Sequence, residues 1–409
     1  SGVRRDEYLN KLKALVGNEE ISLVSGIRRS GKTTLLYQTI DYLLEKGIDA
    51  RNILLVNCDE IVVKNSFKDI HEIISSFNSS GEGRKYVFLD EVQYFDDWEQ
   101  ELKNVFDRFR KNVKIVASGS SALLLKSKKL YFLTGRFQPL IVYPFSFKEF
   151  LQANEVKFFE EKSLEEKYEK NVALDLDKHV QQYLLYGGFP RIVFEKNVGE
   201  KKKLGKLYFE TILYKDIVKL WEVKDVTALE KIGRFVLQNI GQRFSYRKIS
   251  GALEINLKTT QNYLDYLKNS FLVYFVEYYA KSSAMQIKKE KKVFTIDSIL
   301  TTSYFEHENF GSLAENAVFV HLERKELKPN YWKNTWEVDF VVEEETPLPI
   351  EVKYRESINH EDFKGLYSFF KHYENSQEGL LVTKNEFKTH KTTDGRIIKL
   401  IPLWLFLLE

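Results

Sequence analysis

The sequence predicts an α/β protein: a parallel sheet in its first third, a helical stretch and a helix-turn-helix in the middle, and a second α/β unit at the end. Three observations carry this. Short apolar runs alternate with amphipathic stretches up to about residue 145, the pattern of strands and crossover helices in a sheet covered on both faces. Apolar residues then recur at helical spacing to about residue 240. Strands return after the lysine-rich stretch Lys288 to Lys292 and enclose one helix. At 409 residues the chain exceeds the size at which one core stops growing, and the expected domains are 1–145, 146–240, 241–290 and 291–409.

The strand candidates of the first domain are 21–24, 53–56, 86–89, 114–117 and 140–143. Between them, Leu36, Ile40, Leu43 and Leu44 recur at helical spacing, with Gly47 at the expected stop. A second helix has Asp97 as N-cap and Trp98, Leu102, Val105, Phe106 and Phe109 along one face. Next come two long helices, 164–185 and 205–220, separated by Gly187-Gly188-Phe189-Pro190; together they read as a helical lid. Residues 244–279 suggest a winged helix-turn-helix: a helix near 246–253, a second over 258–268 that exposes Thr259, Thr260 and Asn262, then an apolar strand 272–278. The terminal run 401–408 is too short to span a membrane and reads as a last strand or core segment.

Composition narrows the function classes. Hydrophobic residues at 43% and charged residues at 30% suit packed cores rather than disorder. The net charge of +3, from 62 basic and 59 acidic residues, does not by itself imply a nucleic-acid partner, so any basic surface is local. A single cysteine, Cys58, excludes an internal disulfide and a cysteine-built zinc site and fits a reducing, cytoplasmic setting. No run reaches the roughly 18 apolar residues of a membrane helix, and the start carries no signal-peptide apolar core.

Chemistry concentrates first in Gly26-Ile27-Arg28-Arg29-Ser30-Gly31-Lys32-Thr33, set between a strand and an amphipathic helix. Holding a polyphosphate requires converging backbone N–H groups, a helix N-terminus and a cation. Gly26 and Gly31 allow the close approach, and Lys32 reaches the β- and γ-oxygens of ATP. The Thr33 hydroxyl binds Mg²⁺, and Arg29, Ser30 and Thr34 complete the nucleotide-facing set. A carboxylate must hold the metal from a neighbouring strand end; in Tyr86-Val87-Phe88-Leu89-Asp90-Glu91, Asp90 takes that role and Glu91 orients and activates the attacking water. The bland alternatives are a chance match to the loop pattern and an acidic pair that caps a strand.

This pairing of loop and Asp-Glu resembles AAA+ and related P-loop ATPases. More closely, the chain is similar to an archaeal and bacterial ATPase family that joins an AAA-type domain to a C-terminal domain of uncertain function. Further markers are Ala117-Ser118-Gly119-Ser120-Ser121, Leu133-Thr134-Gly135-Arg136, Tyr143-Pro144-Phe145-Ser146-Phe147 and the Gly187-to-Pro190 break. The resemblance implies an AAA+-type P-loop core with a helical lid. It implies Ser118 or Ser120 as sensor of the γ-phosphate, Arg136 as an arginine finger, Pro190 against the nucleotide, and Arg5 and Tyr8 near the adenine. A small-residue turn, a structural salt bridge and a helix break remain alternatives for the first three. A finger that completes a neighbour's site implies a homo-oligomer, with a hexamer as one outcome.

The last domain carries Glu315, Asp339, Glu351 and Lys353. Asp339 and the Glu351-Lys353 pair lie within apolar strands, where a charge requires compensation. Their order is similar to the PD-(D/E)XK nuclease fold, although Val338 stands where that motif has proline. The resemblance implies that Glu315, Asp339 and Glu351 hold Mg²⁺ while Lys353 positions the attacking water. An edge-strand charge pair and an inactive docking module are the alternatives. The expected protein is a Mg²⁺-dependent ATPase acting on nucleic acid, with DNA the expected partner ahead of RNA and Arg247, Lys248, Lys258 and Lys268 available to phosphates. A nucleotide-switched regulatory or defence protein is the alternative.

Overall fold

The aliphatic runs of the first third become β1 (Ile21–Gly26), β2 (Ile53–Asn57), β3 (Lys85–Asp90), β4 (Val113–Ser120) and β5 (Phe137–Ile141). They form one parallel sheet in the order β2-β3-β4-β1-β5. The computed structural model describes residues 2–79, 81–120, 133–306, 310–343 and 345–409. It divides into two units, Ser1–Tyr143 with Asn269–Phe271, and Pro144–Lys268 with Leu272–Glu409.

Alternation along the strands separates two cores in the first unit. Leu23, Leu89, Ile115 and Ala117 face Trp98, Leu102 and Val105 on one side. Val24, Phe88, Val116 and Leu140 face Leu9, Leu12, Leu35 and Leu36 on the other. Each fully buried aliphatic side chain contributes about 1.5–3 kcal/mol, and burial on both faces is why these strands are continuously apolar. Because all five strands run the same way, Gly26, Asp90 and Ser120 finish at one edge of the sheet. That is the edge where α/β sheets bind ligands.

Two local expectations are corrected. The fifth strand begins at Phe137 rather than 140. Asp97 sits in the left-handed region at φ 52 and makes no side-chain cap bond; its carbonyl accepts from Gln100 and Glu101 instead. Ser121, the end of the marker that begins at Ala117, lies outside the described residues.

The second unit starts helically. The helix expected over 164–185 is two, Leu164–Asn171 and Asp177–Tyr186, broken where Asp175 turns left-handed at φ 49. The one expected over 205–220 begins earlier, at Val198–Thr211, and continues through a π-helical stretch, Ile212–Val218. Helices Tyr246–Leu253 and Leu257–Asn269 follow, beside a small antiparallel sheet of β6 (Arg243–Phe244), β7 (Val273–Val276) and β8 (Lys291–Thr295), ordered β6-β8-β7. Thr260, expected on the exposed face, is fully buried, its hydroxyl donating to the Asn256 carbonyl at 3.1 Å.

The remaining strands are β9 (Asn330–Lys333), β10 (Glu337–Glu343), β11 (Pro347–Lys353), β12 (Glu378–Thr383), β13 (Lys388–Lys391) and β14 (Ile397–Pro402). They form a mixed sheet ordered β13-β14-β12-β11-β10-β9. Helix Gly311–Arg324 precedes this sheet in the chain, and helix Lys364–His372 connects β11 to the parallel β12. The terminal run supplies both β14 and a buried helix, Leu403–Phe406. Among the described residues no helix is long and apolar enough to cross a membrane.

Candidate nucleotide site and acidic cluster

β1 delivers the chain into the 26–31 loop, and helix Lys32–Glu45 leaves it. A Cβ on Gly26 would collide with the Val142 carbonyl, so glycine is required where β1 turns. Arg29 and Gly31 are left-handed at φ 71 and 97, and Gly31 caps the helix without a side-chain bond. The first-turn N–H groups are therefore left to a ligand, and the successive turns make an anion-binding nest. Lys32 is 4% exposed, its ammonium donating to the Gly26 and Ile27 carbonyls at 3.1 and 3.3 Å, over the loop where phosphate oxygens would lie.

The two residues expected to hold the metal are in hydrogen-bond contact, the Thr33 hydroxyl donating to Asp90 Oδ2 at 2.7 Å. The other Asp90 oxygen accepts from Ser118, and the Ser118 hydroxyl oxygen accepts from the Glu91 N–H at 3.1 Å. Ser118 thus positions both acids. Glu91 is left-handed at φ 56, and its carboxylate accepts from the Gln93 amide. Ser120, paired in register with Gly26, is buried, and among the described residues its hydroxyl has no hydrogen-bond partner; the same holds for Ser30. Oxygen donors at Thr33 and Asp90, orphaned hydroxyls and an uncapped helix end fit a Mg²⁺-bound polyphosphate.

Arg5 serves differently from the expectation. It is 1% exposed, donates to the Ser30 carbonyl at 2.9 Å and stacks its guanidinium 4.4 Å from the Tyr8 ring centroid. It buttresses the loop from behind, a role that spacing along the sequence does not reveal. A cavity of about 330 Å³ opens beside the helix, lined by Arg4, Thr34, Tyr37, Gln38 and Tyr42 among others. Arg136 precedes β5, at the sheet edge opposite Gly26, and donates from Nε to Asp107 at 2.9 Å. That hydrogen bond holds the Asp107 carboxyl below its usual range.

Residues 18–151 match an AAA domain, 177–308 a domain of unknown function (DUF8612), and 310–406 another (DUF4143). An uncharacterized protein of Haemophilus influenzae is 32% identical over 350 residues, which are 83% of either chain. This chain belongs to the same family, built on an AAA-type P-loop ATPase domain. Uncharacterized protein MJ1544 of Methanocaldococcus jannaschii is 25% identical across 94% of this chain and 87% of its own. Among solved structures, the Walker-type ATPase PABY2304 of Pyrococcus abyssi matches 74% of this chain and 95% of its own, at 19% identity and a TM-score of 0.45.

In the second unit of this AAA-type protein, the Gly187-to-Pro190 break has a structural account. The Gly188 N–H donates to Asp297 Oδ2 at 2.7 Å, and its carbonyl accepts from Phe145 at 2.6 Å. Any Cβ at Gly187, left-handed at φ 67, would strike the Asp297 carboxylate. Pro190 opens helix Pro190–Phe194 at a position where its missing N–H costs nothing. Burial pushes the Asp297 carboxyl up to about 7.

Glu315, Asp339, Glu351 and Lys353 do come together, but with a residue that the sequence reading missed. Lys292 on β8 places its buried ammonium 2.9 Å from Glu337, 3.0 Å from Asp339 and 3.3 Å from Glu315. Asp339 Oδ2 accepts from the Val352 N–H at 3.0 Å, and Lys353 pairs with Glu351 Oε1. Glu351 Oε2 is buried and, among the described residues, has no hydrogen-bond partner. Burial, then Asp339, raises Glu315 to about 7 and Glu351 to about 8. Burial works to lower Lys292, but Glu315, Asp339 and Glu337 hold it well above the usual ammonium value. Among the described residues no three His, Cys, Asp or Glu side chains are grouped to hold a metal ion. With an ammonium among them, Glu315, Asp339 and Glu351 do not fit a divalent ion as they stand.

Proposed function

We propose that this protein is a Mg²⁺-dependent ATPase that acts on nucleic acid. The observation that carries the hydrolytic part is the Thr33–Asp90 hydrogen bond beside Glu91. Thr33 and Asp90 would hold Mg²⁺, which would supply Lewis-acid stabilisation of the transferring phosphoryl group. The loop amides and Lys32 bind the phosphates, Ser120, level with Gly26 across the sheet, senses the γ-phosphate, and the cavity beside Tyr37 and Gln38 takes the adenosine. Glu91, released from Gln93, accepts the proton of the attacking water.

The nucleic-acid part rests on the helix pair Tyr246–Leu253 and Leu257–Asn269 with the β6-β8-β7 sheet, which we read as a winged helix. Arg247, Lys248, Lys258 and Lys268 on those helices are all exposed. We read the terminal sheet, with Glu315 on the helix before it, Asp339 on β10 and Glu351 with Lys353 on β11, as a PD-(D/E)XK-like domain. A second reading, a nucleotide-switched regulator whose terminal domain docks rather than cuts, is favoured by the ammonium of Lys292 among the carboxylates. The test is ATP turnover with and without DNA, for the parent and Glu91→Gln. DNA-stimulated turnover lost in Glu91→Gln supports the first reading; slow, DNA-independent turnover supports the second.

A further inference from the structure

We infer that Lys292 is the resident cation of the terminal acidic cluster and keeps it closed to divalent metal. The observations are geometric. Four carboxylates from three elements, Glu315 on helix Gly311–Arg324, Glu337 and Asp339 on β10 and Glu351 on β11, gather in the second unit. A fifth side chain comes from another sheet: β8, the middle strand of β6-β8-β7, sends Lys292 among them. Its side chain is 2% exposed and reaches three of the four carboxylates within 3.3 Å.

A buried ammonium this deep is tolerated only when its charge is compensated, and the three carboxylates around it more than compensate it. A divalent ion, to be held here, would have to engage carboxylate oxygens that the ammonium already occupies. Lys292 and a divalent cation therefore compete for Asp339 and Glu315, and the lysine, tethered to a strand, is present at an effective concentration that no free ion reaches. Among the described residues the buried Glu351 Oε2 has no hydrogen-bond partner, and the lysine does not reach it. Neutralising Lys292 removes the competitor and leaves the carboxylates to recruit a metal. This inference is independent of whether the domain cuts nucleic acid, so absence of cleavage leaves it intact.

The experiment uses the full chain carrying Thr33→Ala and Asp90→Asn, so that the P-loop contributes no metal ligands, with Mn²⁺ binding followed by the loss of its free paramagnetic signal. The expected result is no bound Mn²⁺ with Lys292 present. One Mn²⁺ per chain is expected in Lys292→Gln, with affinity at least about tenfold higher, and loss of it again on adding Glu351→Gln. Lys292→Arg, which keeps the charge, should stay metal-free. Mn²⁺ bound through Glu351 with Lys292 intact, or a folded Lys292→Gln that binds none, overturns the inference. Should Lys292→Gln not fold, reductive methylation of the parent decides: Lys292 is expected to stay unmodified with or without millimolar Mn²⁺ while exposed Lys288 reacts. Metal-dependent labelling of Lys292 would show that the ion displaces it.

Discussion

At the ends of β3 and β4, two hydrogen bonds of one hydroxyl divide the labour among neighbouring residues. Ser118 donates to Asp90 and accepts from the Glu91 N–H, so one hydroxyl sets the metal-holding acid and the backbone of the water-activating one. Glu91→Gln keeps the size of the side chain and removes its basicity. ATP binding should persist by calorimetry while turnover falls about 10²–10⁴-fold, the range for loss of a general base; unchanged turnover would remove Glu91 from that role. Ser118→Ala leaves Asp90 with one partner fewer and should instead weaken Mg²⁺-dependent binding, read as a higher metal requirement for turnover, by about 10-fold or more. The two outcomes differ because Ser118 acts through Asp90, whereas Glu91 acts on water.

The break between helices Asp177–Tyr186 and Pro190–Phe194 is stabilised by a buried carboxyl, which makes it sensitive to pH. Asp297 has its folded value raised to about 7 from an ordinary 3.8, chiefly by burial. A raised acid favours the folded state while protonated, so its contribution is complete below about pH 4 and is lost as pH rises through about 7. The stability of the parent relative to Asp297→Asn should therefore fall by a few kcal/mol, on the order of 2–4, between about pH 4 and pH 8. Parallel pH–stability curves for the two proteins would refute this. Gly187→Ala forces the same carboxylate aside at a left-handed position and should cost about 2–4 kcal/mol at any pH. The Gly-Gly pair was legible in the sequence as a break, but its partner Asp297 was not, being more than a hundred residues away. The five parallel strands were legible because burial on both faces writes each one as an unbroken apolar run. Asp175 was illegible as a helix break because its left-handed turn interrupts an otherwise continuous helical pattern. The same limit hid Lys292: a lysine next to Lys291 reads as solvated surface until the fold turns its side chain inward.

For the assembled molecule, strand direction decides what Arg136 can do. It precedes β5, level with the start of β1, while the phosphate loop follows the end of β1. Six residues at ~3.3 Å each put roughly 15–20 Å between them, so Arg136 cannot reach the γ-phosphate of its own chain. If it acts on ATP, it acts on a neighbour's, after leaving Asp107. Arg136→Ala and Lys32→Ala should then each abolish most turnover, the former by about 10³-fold or more, while a mixture recovers activity. In the mixed assembly an intact loop from one chain meets an intact arginine from the other. Recovery should require co-assembly, followed by light scattering, and should vanish when both substitutions share one chain. Co-assembled mixtures that stay as inactive as either parent variant would leave Arg136 a structural role beside Asp107, and the case for a homo-oligomer built on an arginine finger would go with it.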